Sequence, residues 1–171
     1  MHQGIRYTLL FVAVVLLQSL VFNQVQISIW FNPLVYIAFV MLLPMRTMPI
    51  VVLTCGALMG VSMDVIMGLA GVNTIASLAT AYLRPLILRP IVGKDAFVDG
   101  GVPAPMQIGL GKFVLYASLF TLVQCAIFFA LEAMTIDYAM LIVGKVILNT
   151  AVSMILTVLI ASVFAPKNYN N

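Results

Sequence analysis

Long apolar runs, broken by short polar punctuation, set the pattern of this chain. A helix needs about 20 apolar residues to cross the hydrocarbon core of a bilayer. Six stretches approach that length: residues 5–22, 27–43, 49–69, 72–92, 112–131 and 138–164. The second contains Asn32 and Pro33, and the fourth carries Pro85 and Pro90 near its end. Strict apolar–polar alternation, the mark of a membrane barrel, is absent. Backbone groups in lipid must be satisfied within each segment, so the spans are expected to be α-helices. The connections are short. Pro44 and Pro49 close one helix and open the next, and Gly68 and Gly71 bound another turn. The longest loop, 93–111, holds Gly100, Gly101, Pro103 and Pro105 and too few apolar residues for a domain of its own. The expectation is an all-α integral membrane protein, one transmembrane domain over 1–171, folded as a six-helix bundle.

Composition strengthens this reading. Of 171 residues 64% are hydrophobic and 8% charged, where a soluble domain carries about 25% charge. So much apolar surface cannot all be hidden from water and is expected to face lipid. The run from Tyr7 to Phe22 is long for a signal-peptide core and is followed by no small-x-small cleavage site, so it is expected to be a retained first span. Cys55 and Cys125 both sit in apolar stretches, as small buried hydrophobes do.

The net charge of +3 comes from scattered Lys and Arg residues, with no run that would track phosphates along a nucleic acid. Their meaning is topological. With the N-terminus in the cytoplasm and six helices threaded, Arg6, Arg46, Arg89, Lys94, Lys112 and Lys167 fall on or near the cytoplasmic face, and the C-terminus is cytoplasmic too. The outer loops, 23–30, 69–72 and 132–137, contain no Lys or Arg, as the positive-inside rule requires. Trp30, Phe31 and Tyr138 fall at the outer interface, and Tyr7, Tyr116 and Tyr169 near the inner one. If the second span did not cross, Arg89, Lys94 and Lys112 would lie outside, so charge favours six spans over five.

An ionisable residue inside a span costs about 2.5–3.5 kcal/mol on insertion scales and needs a reason. Three stand out. Asp64 belongs to a stripe of Gly56, Gly60, Asp64 and Gly68, spaced four apart on one helix face. Small residues at that spacing let another helix approach closely. Lys145 begins a second stripe, Lys145, Asn149, Ser153 and Thr157, which should point into the bundle or a partner. Asp64 would lie about 6 Å and Lys145 about 11 Å below the outer surface. Two arrangements stay open: the pair meets or shares a polar pocket, or Lys145 snorkels alone while Asp64 reaches interfacial water. Arg84 shares a rough face with Asn73 and Ser77, with Thr80 between. It would either serve carbonyls freed by the neighbouring prolines or snorkel with Arg89 to the headgroups, and snorkelling is the favoured expectation.

No Walker A loop, HExxH, GxSxG or CxxC occurs. The sole histidine, His2, lies outside the spans. Glu132 and Asp137 are expected as solvated anchors at the outer surface. Neither catalysis nor a metal or other cofactor is expected.

The run Gly56–Gly71, with its glycines before Asp64 and its Gly-x-x-Gly turn, resembles the core motif of the rod shape-determining protein MreD family. Leu42, Leu43 and Pro44 close the preceding span as that family does, and chain length and span count agree along almost the whole chain. Gly56, Gly60, Asp64, Gly68 and Gly71 are the matching positions. The Gly/Pro-rich loop 93–111 departs from the pattern. The resemblance implies a noncatalytic component of the bacterial cell-elongation machinery in the cytoplasmic (inner) membrane. It would help maintain rod shape and lateral peptidoglycan synthesis as a scaffold, with its seams holding partner helices. The implied partners are MreC, with MreB and the RodA–penicillin-binding protein pair in the same complex. The implied fold is similar to the substrate-binding subunits of energy-coupling-factor vitamin transporters. A solute-binding subunit of such a transporter is therefore the alternative function. Against it, the first helix lacks the alanine-rich docking face of those subunits, and the outer loops are short.

Overall fold

The computed structural model describes residues 2–22, 32–93, 97, 100–133 and 139–164. Trp30, Phe31, Lys94, Asp137, Tyr138, Lys167, Tyr169 and the stretch 27–31 of the expected second span lie outside the described residues. Among the described residues every regular element is helical. The elements are α1 (His2–Leu17) continued by a π-helical turn (Gln18–Phe22), α2 (Ala38–Met41), α3 (Pro49–Met67), α4 (Val72–Val92), α5 (Pro105–Ile108), α6 (Leu110–Ala133) and α7 (Ala139–Phe164).

Among the described residues four helices are long and apolar enough to cross a membrane: Pro49–Met67, Val72–Val92, Leu110–Ala133 and Ile142–Val163. Apolar residues cover them on both sides. α3 buries Val52, Met59 and Met63 and leaves Leu58, Val61 and Val65 exposed. A helix apolar all round fits a lipid surround, and the protein has the character of a multi-pass membrane protein. α3 packs along α4, α4 along α6, and α6 along α7.

The expected second span is not a continuous helix. Residues 32–35 have no regular structure, and only Ala38–Met41 are α-helical. Pro33 has no N–H to give a helix, and its ring disfavours helical geometry at Asn32. This broken segment is nonetheless the most buried stretch among the described residues, with every residue from Leu34 to Leu43 at most 5% exposed. α1, α3, α4 and α7 all pack against α2. The segment also descends through the bundle. Tyr36 meets Gln124 of α6, and Met41 meets Tyr116. At 1.5 Å per residue those two α6 positions lie about 12 Å apart along the helix.

The hydrogen bonds also align the helix ends. Thr80 meets Gln124, and both Arg84 and Tyr116 meet the Met41 carbonyl. The end of α4 therefore lies beside the start of α6. The loop after α2 joins the same end, where the Met45 N–H donates to the Gly101 carbonyl at 2.8 Å. Arg46, Arg89 and Lys112 thus gather at one end of the bundle. The loop 93–111 is partly folded onto this end, with Pro103 and Ala104 buried.

Candidate functional site

A chain of buried polar side chains joins four segments of the interior. It starts at Asp64, three residues before the end of α3. Its Oδ1 accepts the Asn73 N–H at 2.9 Å and the Asn73 side-chain amide at 3.0 Å. Its Oδ2 accepts the Thr74 N–H at 2.9 Å and the Thr74 hydroxyl at 2.6 Å. Asn73 and Thr74 are in the first turn of α4, whose N–H groups have no partner within the helix. The residue before that helix, Gly71, has no side chain to cap it and takes φ +89°. Asp64 caps α4 from the preceding helix instead, and its negative charge faces the positive end of the helix dipole. Gly68, at φ +67°, turns the chain so that the two helices meet.

The orientation of the other groups follows from the carboxylate. It only accepts, so Asn73 must turn its NH2 toward it. The Asn73 carbonyl then accepts the Tyr36 hydroxyl at 2.9 Å. Tyr36, having donated, accepts from the Gln124 amide at 2.7 Å. The Gln124 carbonyl accepts from Thr80 at 2.7 Å. Asn73, Tyr36, Gln124 and Thr80 are all 0% exposed, and a buried network so connected specifies one arrangement of the core.

A second set of side chains serves the backbone of the broken segment. Non-helical backbone at membrane depth is tolerated only where protein supplies its partners. Asn149 accepts the Asn32 N–H at 2.8 Å, and Ser153 accepts the Leu34 N–H at 2.9 Å. Gln18 serves two groups, accepting the Val35 N–H at 2.9 Å and donating to the Pro33 carbonyl at 3.0 Å. At the other end, Arg84 donates to the carbonyls of Leu43 and of Met41, the latter at 3.4 Å. The Tyr116 hydroxyl donates to Met41 as well, at 3.3 Å.

Several expectations are corrected by this geometry. Asp64 and Lys145 do not meet, because the Asp64 oxygens are engaged by Asn73 and Thr74. The Lys145 ammonium lies 5.8 Å from the centre of the Phe129 ring. Asp64 is buried and bonded rather than open to interfacial water. Arg84 does not snorkel: it is 3% exposed and its carbonyl partners belong to another segment. Arg89 is exposed and lies 4.9 Å above the Phe97 ring. Tyr116 is a buried donor and not an interfacial anchor.

The glycine seam is internal. A methyl group at Gly60 would fall 2.5 Å from Thr74 Cα, and one at Gly56 would fall 2.9 Å from Ala81 Cβ. α4 therefore fills the groove expected to receive a partner helix, while Gly68 and Gly71 shape the turn. The second stripe divides: Asn149 and Ser153 hold the broken segment, and Thr157 is buried with its hydroxyl unpartnered.

Gln18, Tyr36 and Gln124 were missed by the stripe analysis. The signal for the two glutamines is that each is the one amide of its expected span, 5–22 or 112–131. Among the described residues there is no cluster of His, Cys, Asp and Glu suited to a metal ion, and Cys55 and Cys125 are free thiols. The chain matches no protein-family model, no curated protein and no solved structure.

Proposed function

We propose that this protein is a noncatalytic scaffold of the bacterial cell-elongation complex, crossing the cytoplasmic membrane six times with both termini inside. The observation that carries the reading is the α3–α4 hairpin. Every position of the motif that resembles the MreD family, Gly56, Gly60, Asp64, Gly68 and Gly71, serves its packing, capping or turn. The buried polar groups are largely spent on holding the fold, which suits a rigid platform. The collected basic end supports the inside orientation, and the descent of the broken segment supports its crossing.

The interior favours a scaffold over a solute-binding subunit. Residues 34–43 lie buried among the helices. Because the glycine seam is occupied by α4, contacts with a bitopic partner of the MreC kind, and through it with MreB and the RodA–penicillin-binding protein pair, fall on outward helix faces. Depleting the protein from a rod-shaped host should round the cells, and the tagged protein from native membranes should carry the bitopic partner. Cells that keep their rod shape after depletion would end this reading.

A further inference from the structure

At the basic end of the bundle an open pocket of about 800 Å³ lies between the start of α3 and the second half of α4. Arg46, Arg84 and Arg89 line it, and no acidic residue does among those described. One side of its wall is apolar and outward-facing: Tyr82 is 71% and Leu86 70% exposed. Arg84 is the informative residue. It is almost wholly buried, and although it donates to Met41 and Leu43, its Nε has no acceptor. Its Nε is buried as well, so Arg84 lends the pocket its charge, and the exposed Arg46 and Arg89 are the groups an oxyanion can reach.

The geometry points to a binding site for the phosphate headgroup of an anionic phospholipid. Arg46 and Arg89, exposed at the basic end of a membrane bundle, are placed to meet headgroups, while Arg84 lies buried behind them. The phosphate pairs with the exposed guanidinium groups of Arg46 and Arg89, and the acyl chains lie along Tyr82 and Leu86. A soluble phosphate would have no use for that apolar wall.

The test uses the full chain in detergent, titrated with phosphatidylglycerol, phosphatidylcholine or inorganic phosphate. Retained lipid is read by native mass spectrometry and stability by thermal unfolding. Phosphatidylglycerol should be retained and should raise the unfolding temperature, and phosphatidylcholine should do neither. The Arg46→Gln/Arg89→Gln double variant leaves the Arg84 contacts to the backbone in place and should bind phosphatidylglycerol roughly tenfold more weakly. Lys112→Gln, exposed at the same end but outside the pocket, should bind as the unaltered protein does. Equal retention of the two lipids, undiminished binding by the double variant, or equal weakening by Lys112→Gln would each overturn the site. Stabilisation by inorganic phosphate alone to the same extent would overturn the lipid assignment.

Discussion

The Asp64 carboxylate receives the backbone N–H of Asn73 at 2.9 Å across the Gly68–Gly71 turn, and so one helix caps the next. The same oxygen receives the Asn73 side chain, from which the polar chain runs on to Tyr36, Gln124 and Thr80. Local capping and global packing thus meet at one residue.

Replacing Asp64 should therefore be costly in proportion to the acceptors lost. Asp64→Asn keeps one carbonyl and points an amide at N–H donors, and should destabilise by about 2–3 kcal/mol. Asp64→Ala leaves Asn73 and Thr74 without their acceptor and should cost more. Thermal unfolding of purified protein in detergent would check the order. Equal stability of the aspartate and alanine forms would contradict the capping role.

The glycine seam gives a graded prediction. Gly60→Ala places a methyl against α4 backbone and should destabilise by about 1–3 kcal/mol through overpacking. Gly56→Ala first meets the Ala81 methyl and the Ser77 carbonyl at 3.2 Å, a looser contact, and should cost less. Gly68→Ala meets nothing but carries the strain of φ +67°, worth about 1 kcal/mol. The unfolding temperatures should rank Gly60→Ala lowest.

Gln18→Leu strips two bonds from the broken segment, leaving the Pro33 carbonyl and the Val35 N–H buried and unpaired. It should cost about 2–4 kcal/mol, and Ser153→Ala, which strips one, about 1–3 kcal/mol. Combining the two should give a sum that departs from additivity, because both hold the same short stretch. An additive double variant would show that the two ends of the stretch are held independently.

Arg84→Lys keeps the charge but replaces a planar fork by a point donor. It should retain part of the stability that Arg84→Leu loses, the latter by about 1–3 kcal/mol for the carbonyl left unserved at Leu43. Tyr116 still serves Met41 in both variants. Denaturation midpoints in detergent, measured on the two variants side by side, would show whether lysine ranks between arginine and leucine.

The spans were legible where lipid-length apolar runs meet proline and glycine stops. The expected 49–69 and 72–92 correspond to Pro49–Met67 and Val72–Val92, and 112–131 and 138–164 to Leu110–Ala133 and Ala139–Phe164. The expected 27–43 is not one continuous helix over its described residues, 32–43, and an apolar run buried by protein looks the same as one buried by lipid. Only Asn32 and Pro33 marked the break. Asn149 and Ser153 of the polar stripe are buried, but what the stripe serves cannot be read from the sequence. Its partners are backbone groups, which are the same in every residue and leave no trace in side-chain pattern. The glycine seam was visible for the same reason that its occupant was not. Small residues announce close approach, but not which helix approaches.

The amides of Asn32 and Leu34 find their acceptors 117 and 119 residues further along the chain. During synthesis, therefore, the early segment reaches the translocon long before the groups that complete it exist. It must wait, in water, in the translocon or in a provisional helix, until the last helix is delivered. Gln18 can hold Pro33 and Val35 from the outset, but the centre is complete only once the last helix is in place.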